Sequence, residues 1–218
     1  MARTGLDRAG WPFIGGALAL AVGLGAALTW LAAMPFLVLA AFFTFFFRDP
    51  ERHSPTGPDL IVSPADGRIL VAGPAHPDAA PPGQWQQISI FLSPMDVHVN
   101  RMPVSGRVTR VTFTPGRFLP AYRPDAATRN ERSEVFIDHA GQTVVARQVV
   151  GFLARRVVCR AQVGAEVAAG ERFGVMKFGS RMDVFLPLQA TIRVSVGQSV
   201  RGGETVIAVL DSQVPRRS

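Results

Sequence analysis

The feature that most constrains this chain is an uncharged stretch of 37 residues from Trp11 to Phe47. One membrane crossing needs roughly 20 apolar residues, and a signal-peptide core has only about 7–15. Because Pro35 interrupts helical hydrogen bonding, we predict two membrane-embedded helices, about 11–32 and 34–47, joined as a hairpin. The second is short, so either a full span or an interfacial position stays open. Four glycines are expected to allow close helix packing: Gly15, Gly16, Gly23 and Gly25.

Arginines flank the hairpin on both sides. They are Arg3 and Arg8 before it and Arg48 and Arg52 after it. A hairpin leaves both flanks on one side of the membrane, and the positive-inside rule makes that side cytoplasmic. We therefore expect a membrane-associated domain, 1–47, and a second domain, 48–218, at the cytoplasmic face of the cell membrane.

Composition excludes several classes of protein. The chain has 218 residues, a net charge of +7 and 48% hydrophobic residues, which excludes a disordered chain. A single cysteine excludes an intrachain disulfide and a cysteine-based zinc site, and no metal site is predicted. The arginines are dispersed and no basic stripe is interleaved with aromatic residues, which argues against a nucleic-acid partner.

Short β-branched or alternating runs dominate the second domain and predict a mainly β fold. The expected strands are Ile88–Leu92, Arg107–Thr114, Glu134–Asp138 and Thr143–Val150. The Ala- and Pro-rich stretch from Gly73 to Gly83 is predicted to be an exposed loop. A helical turn is expected only near Asp125–Arg129.

An internal repeat, V-G-x-x-V-x-x-G-E, occurs at 163–171 and again at 196–204. Its glycines predict turns and its valines are expected to point inward. Two such units indicate pseudo-symmetric, lipoyl-like halves of a small closed β sandwich or barrel. A carrier function does not follow, because the single lysine, Lys177, lies outside the hairpin tip that a carrier would use.

A Gly-Ser pair, Gly179-Ser180, interrupts a run that would otherwise continue as a strand. A glycine permits a strained backbone, and a serine hydroxyl beside its carbonyl can add to it. The peptide then shifts to an ester, and elimination leaves dehydroalanine and later a pyruvoyl group. This chemistry needs a base and a carboxylate that orients the base.

Histidine is the obvious base, and the chain has four. His98 lies in a segment where alternate residues share one face, so Asp96, His98 and Asn100 can line a common site. Asp66 precedes a glycine, in a turn that projects a carboxylate.

Five ordered motifs together resemble the phosphatidylserine decarboxylase family in its short prokaryotic form. They are FFRDPER at 46–52, SPADG at 63–67, LSPMDVHVNRMP at 92–103, RNER at 129–132 and FGS at 178–180.

The resemblance implies self-cleavage between Gly179 and Ser180 into a β chain, 1–179, and an α chain, 180–218. The two chains would form a heterodimer, with a higher oligomer left open. Ser180 would become the covalent pyruvoyl cofactor, and the self-processing set maps onto Asp66, His98 and Ser180. The longer bacterial form has a second histidine where this chain has Arg101.

The implied reaction decarboxylates membrane phosphatidylserine to phosphatidylethanolamine and CO2 through a Schiff base. Four arginines are candidates for the lipid phosphate: Arg101, Arg129, Arg132 and Arg181. Two alternatives are a related lipid substrate such as archaetidylserine, and a membrane-anchored lipoyl-like adaptor without catalysis. A pyridoxal-phosphate enzyme is disfavoured, since no glycine-rich phosphate loop opens a helix.

Overall fold

Two apolar helices form a hairpin at the start of the chain, in a computed structural model that describes residues 5–152, 157–177 and 179–211. The helices are α1, Trp11–Ala27, and α2, Trp30–Phe46. The predicted hairpin is present, but its predicted break is wrong, because the chain reverses just before α2 and Pro35 lies inside that helix. Thr29 has the extended backbone of an N-cap position. The second helix therefore begins there and continues through Pro35, which cannot donate a backbone hydrogen bond.

Alanines rather than most of the glycines mediate the packing of this hairpin. Ile14, Ala17 and Ala21 are buried on one face of α1. A Cβ atom on Gly25 would approach Ala33, but one on any of the other three glycines would meet nothing within 4 Å, so the glycine prediction is wrong for those three. With its preceding turn, α1 is long and apolar enough to cross a membrane, whereas α2 has 17 residues.

The remainder of the described chain is mainly β, as predicted, with the expected helical turn, α3, at Ala126–Arg129 and a second, 3-10 turn at Pro77–Ala79. The strands are β1 Leu60–Val62, β2 Gly67–Pro74, β3 Gln86–Leu92, β4 Val99–Arg101, β5 Gly106–Thr114, β6 Arg132–His139, β7 Gln142–Val149, β8 Val158–Cys159, β9 Glu166–Val167, β10 Arg172–Val175, β11 Ser180–Leu186, β12 Thr191–Ile192, β13 Ser199–Val200 and β14 Val206–Val209. The four predicted strands are confirmed to within two residues at each end. Their apolar faces share one core with those of the shorter strands.

The strands form one curled sheet and two small ones. The eight-stranded sheet has the order β13-β2-β3-β11-β7-β6-β5-β9, and the three-stranded sheets have the orders β1-β14-β12 and β4-β10-β8. Two equivalent halves account for this arrangement. One half comprises β1–β3 with β11–β14, and the other comprises β4–β10. The second half is therefore inserted into the first, between β3 and β11.

The sequence repeats occupy equivalent places in the two halves. They supply the edge strands β9 and β13, at opposite ends of the large sheet. In one half Ile69 N donates to Gln198 O at 2.9 Å, and in the other Val108 N donates to Ala165 O at 2.9 Å. The first valine of each repeat was expected to point inward. That prediction is wrong, because Val163 and Val196 are about two-thirds exposed at the turns.

Replacing Gly106, the first residue of β5, tests the close approach of its backbone to Asp138. Gly106 has φ +152, and a Cβ atom there would overlap the carbonyl oxygen of Asp138, whereas Gly73, with φ +155, has open space. Gly106→Ala should lower the free energy of unfolding by about 1–3 kcal/mol more than the matched control Gly73→Ala. Thermal or denaturant unfolding in detergent measures the difference. Equal losses of unfolding free energy in the two variants would show that the positive φ alone, and not the contact with Asp138, requires glycine at position 106.

Candidate active site

Ser180 begins the central strand β11 and lies opposite Leu92 of β3. Its side chain is fully buried, on the same face of the strand as the core residues Met182 and Val184. Its Oγ atom has no hydrogen-bond partner within the described parts of the chain. A buried hydroxyl without a partner is energetically unfavourable, which is typical of an atom kept available for chemistry.

Gly179, immediately before this serine, has φ +70, in the left-handed region that suits glycine. Its equivalent in the other half is Gly141, φ +83, in the tight turn between β6 and β7. Gly179 thus occupies the place of a hairpin-turn glycine, although the chain before it comes from the inserted half rather than from the neighbouring strand.

Gly151 packs directly against the carbonyl group of Gly179. A Cβ atom on Gly151 would overlap the Gly179 oxygen and would also crowd Ala121. Only glycine allows this close approach. Gly151 was missed by the sequence reasoning, because no local pattern shows that residues 151 and 179 meet.

Asn130 holds the loop that presents Gly151. Its side-chain amide donates to Val150 O at 2.8 Å and to Leu119 O at 2.8 Å, and its Oδ1 accepts from Leu119 N at 2.9 Å. The side chain is fully buried. Its place in the 129–132 motif was the available sequence signal for this residue.

His98 is fully buried beside the segment that leads to Ser180. Its backbone oxygen accepts from Met176 N at 3.1 Å, and its Nδ1 contacts Asp96 O at 2.9 Å. Its Nε2 is buried and has no partner among the described residues. Burial lowers the pKa of His98 to about 4, although Asp96 opposes the shift, so the imidazole is neutral at physiological pH.

The predicted common face of Asp96, His98 and Asn100 is not what the structure shows. Asp96 lies in a turn, where its carboxylate accepts from Ser93 N at 2.8 Å. Asn100 Oδ1 accepts from Gln148 Nε2 at 2.8 Å inside the core. The alternation begins only at β4, so it does not extend back to Asp96.

Asp66 is bound by groups other than His98. Its Oδ1 accepts from Gly202 N at 2.7 Å, and its Oδ2 pairs with Arg52 at 2.9 Å. Arg52 also pairs with Glu204 at 2.7 Å. Burial raises the pKa of Asp66 despite these partners. Arg52 was assigned only to the membrane flank, and its role as the partner of Asp66 was missed.

The four candidate phosphate-binding arginines differ in their surroundings. Arg101 and Arg181 are about 5% exposed and pair with Asp49 and Asp183. Arg129 is half exposed beside Asp125, and Arg132 donates to Thr128 O. A cleft of about 510 Å³ beside the hairpin is lined by three other arginines, Arg48, Arg52 and Arg201, and by three carboxylates, Glu51, Asp66 and Glu204.

Comparison with known proteins shows the family of this chain. The family model for phosphatidylserine decarboxylase matches residues 39–208. The phosphatidylserine decarboxylase proenzyme of Burkholderia multivorans is 41% identical over 207 residues, which cover 94% of this chain and 96% of that protein. The chain belongs to the phosphatidylserine decarboxylase family and is an enzyme, a decarboxylase. The adaptor alternative is not favoured.

If the chain cleaves ahead of Ser180, as the family resemblance implies, Gly151→Ala should slow that cleavage by about a hundredfold, because displacing a reacting group by about 1 Å can cost that much. The added methyl group would push the Gly179 carbonyl out of position. The rate is measured by following the loss of full-length, radiolabelled chain on a denaturing gel. Gly16→Ala on α1, where a Cβ atom meets nothing within 4 Å, is the control. Cleavage at the wild-type rate in Gly151→Ala would contradict the positioning role.

Proposed function

We propose that this enzyme converts phosphatidylserine to phosphatidylethanolamine and CO2 with a pyruvoyl group that it makes from Ser180. The observation that carries the proposal is the buried Ser180 Oγ, which has no partner among the described residues and lies next to a glycine in the left-handed conformation. The residues fit the group, because the hydroxyl from which it derives is held at a buried strand end.

Self-cleavage would proceed in three steps. The Ser180 hydroxyl gives up its proton and adds to the Gly179 carbonyl carbon, and the peptide C–N bond breaks to leave an ester. Loss of the Ser180 Cα proton then expels the Gly179 carboxylate and leaves dehydroalanine. Hydrolysis releases ammonia and completes the pyruvoyl group.

His98 is our candidate for the group that accepts the hydroxyl proton. Its neutral ring has an Nε2 atom without a partner in the described part of the chain, and Met176, four residues before Ser180, binds its backbone. A neutral imidazole is competent as a base. We propose that Asp66 acts indirectly. It pairs with Arg52, which follows the hairpin, and accepts a hydrogen bond from Gly202 N, so it fixes Arg52 beside the turn at Gly202.

The pyruvoyl carbonyl supplies an electron sink for the bond that breaks when CO2 leaves the serine headgroup. His98 is also our candidate for returning a proton to the headgroup carbon, a choice supported by the bond between its backbone and Met176, four residues before Ser180.

The substrate would be bound at the membrane surface. Arg129 is exposed enough to reach a lipid phosphate, whereas the buried Arg101 and Arg181 already pair with Asp49 and Asp183. Arg201 lines the cleft beside the hairpin and is a further candidate. The flanking arginines favour the cytoplasmic face of the cell membrane.

Ser180→Ala should remain a single uncleaved chain, with no decarboxylase activity and no labelling by a carbonyl reagent such as a hydrazide. Intact mass spectrometry and hydrazide labelling measure this. Ser133→Ala, which removes another buried serine hydroxyl, should cleave normally. Cleavage of Ser180→Ala into chains 1–179 and 180–218 would refute the mechanism.

Asp66→Asn and Arg52→Gln should each slow cleavage by about tenfold, the equivalent of losing one hydrogen bond to a charged group. Because both remove the same ion pair, the double variant should be no slower than the slower single variant. Gel-based cleavage rates test this. If Asp66 acted on His98 directly, Arg52→Gln would cleave at nearly the wild-type rate.

A further inference from the structure

The foot of the helical hairpin, defined as Phe13, Phe46 and Phe47, lies against the candidate active site. The ring of Phe46, the last residue of α2, is 4.1 Å from the ring of His98, centroid to centroid. Both side chains are fully buried. Lys177, three residues before Ser180, places its Nζ atom 4.7 Å from the ring centroid of Phe13.

Polar contacts fix the hairpin foot to the β domain. Asp7 forms a two-pronged ion pair with Arg160, with both distances at 2.7 Å, and its N–H donates to Phe47 O at 2.9 Å. Arg48 donates to Met95 O at 2.7 Å, three residues before His98. The hairpin therefore meets the domain at a defined angle and is not tethered only by a flexible linker.

We propose that Phe46 is a positioning residue for the reaction: the end of the membrane hairpin covers the His98 ring, holds its orientation and excludes water from it. This inference rests on the role proposed above for His98. It makes the hairpin part of the active site as well as a membrane anchor, so removal of 1–47 would damage the chemistry and not only membrane binding.

The pKa of His98 can show whether Phe46 shields the imidazole ring from water, and the charged groups around the ring affect this pKa. Asp96, on the same loop, favours the protonated ring, and Arg48, at the end of α2, opposes it. Burial is the largest cause of the low pKa of His98. Opening the cover would admit water and raise that pKa toward the ordinary value of about 6.5. A base works only while unprotonated, so activity would then be lost as the pH falls through this range.

The test follows cleavage of full-length, radiolabelled precursor made by cell-free synthesis into phosphatidylcholine–phosphatidylglycerol vesicles. Wild type should cleave at a nearly constant rate between about pH 5.5 and pH 7.5. Phe46→Ala should cleave about tenfold more slowly at about pH 5.5 than at about pH 7.5, the ratio expected for a base with an ordinary histidine pKa. Phe46→Leu, which retains an apolar cover, should resemble wild type. Leu39→Ala, at an exposed position on the same helix, should be unchanged.

A purely structural role for Phe46 would lower yield or thermal stability without changing the pH profile. A flat profile in Phe46→Ala would therefore overturn the inference. If Phe46→Ala does not fold, Phe46→Val should show a smaller loss of cleavage at low pH. A flat pH profile in Phe46→Val would also overturn the inference. His98→Gln separates the two proposals: cleavage at the wild-type rate would refute the role of His98, whereas blocked cleavage with a flat Phe46 profile would refute only the positioning role.

Discussion

The pairing of β11 at the centre of the large sheet is the constraint on which the rest of the structure depends. Its seven residues, Ser180–Leu186, are all buried and pair with β3 on one side, and five of them, Arg181–Phe185, also pair with β7 on the other. Because the strand begins at Ser180, a cut ahead of that residue falls at the end of the ladder. Both partner strands stay in place, and Met182, Val184 and Leu186 keep their positions in the core. The proposed α chain would thus stay bound to the β chain through hydrogen bonds and apolar contacts that do not depend on the severed peptide.

The insertion of one half into the other accounts for the position of the proposed cut. In the inserted half, β6 and β7 are joined by a tight turn whose last residue is Gly141. In the first half, the same place is occupied by the inserted segment, 93–179, which returns at Gly179 with the backbone of a turn glycine. The peptide that returns at Gly179 has to join the start of β11, whose position is fixed by the neighbouring strands β3 and β7. Gly151 then packs against the carbonyl group of Gly179. The position of the Gly179 carbonyl group is therefore fixed by the start of β11 after it and by Gly151, which packs against it.

Local patterns predicted the three α-helices and four of the longer strands of the described chain, and they failed where contacts join distant segments. Alternation and turn residues were sufficient for β3, β5, β6 and β7, and the uncharged stretch was sufficient for the hairpin. The break near Pro35 was wrong because the helix start at Thr29 decides where the chain reverses. Ser180 and His98 could be chosen from the residue types that the chemistry needs. Neither the pairing of Asp66 with Arg52 nor the stacking of Phe46 on His98 has a sequence signal, because each depends on tertiary packing.

The contact between hairpin and active site also bears on how a lipid headgroup is reached. The reversal at Leu28 and Thr29 is the end of the hairpin farthest from the β domain, and the aromatic foot is the end that touches it. If the apolar faces of the helices lie in a bilayer, the foot lies near its surface, at the depth of the headgroups. His98 then lies at that depth as well. A serine headgroup could react there while its acyl chains stay in the membrane, which avoids a transfer cost of about 0.8 kcal/mol for each CH2 group drawn into water. A soluble domain on a long tether would have to meet that cost, and the short, ion-paired junction at Asp7 and Arg160 removes the need.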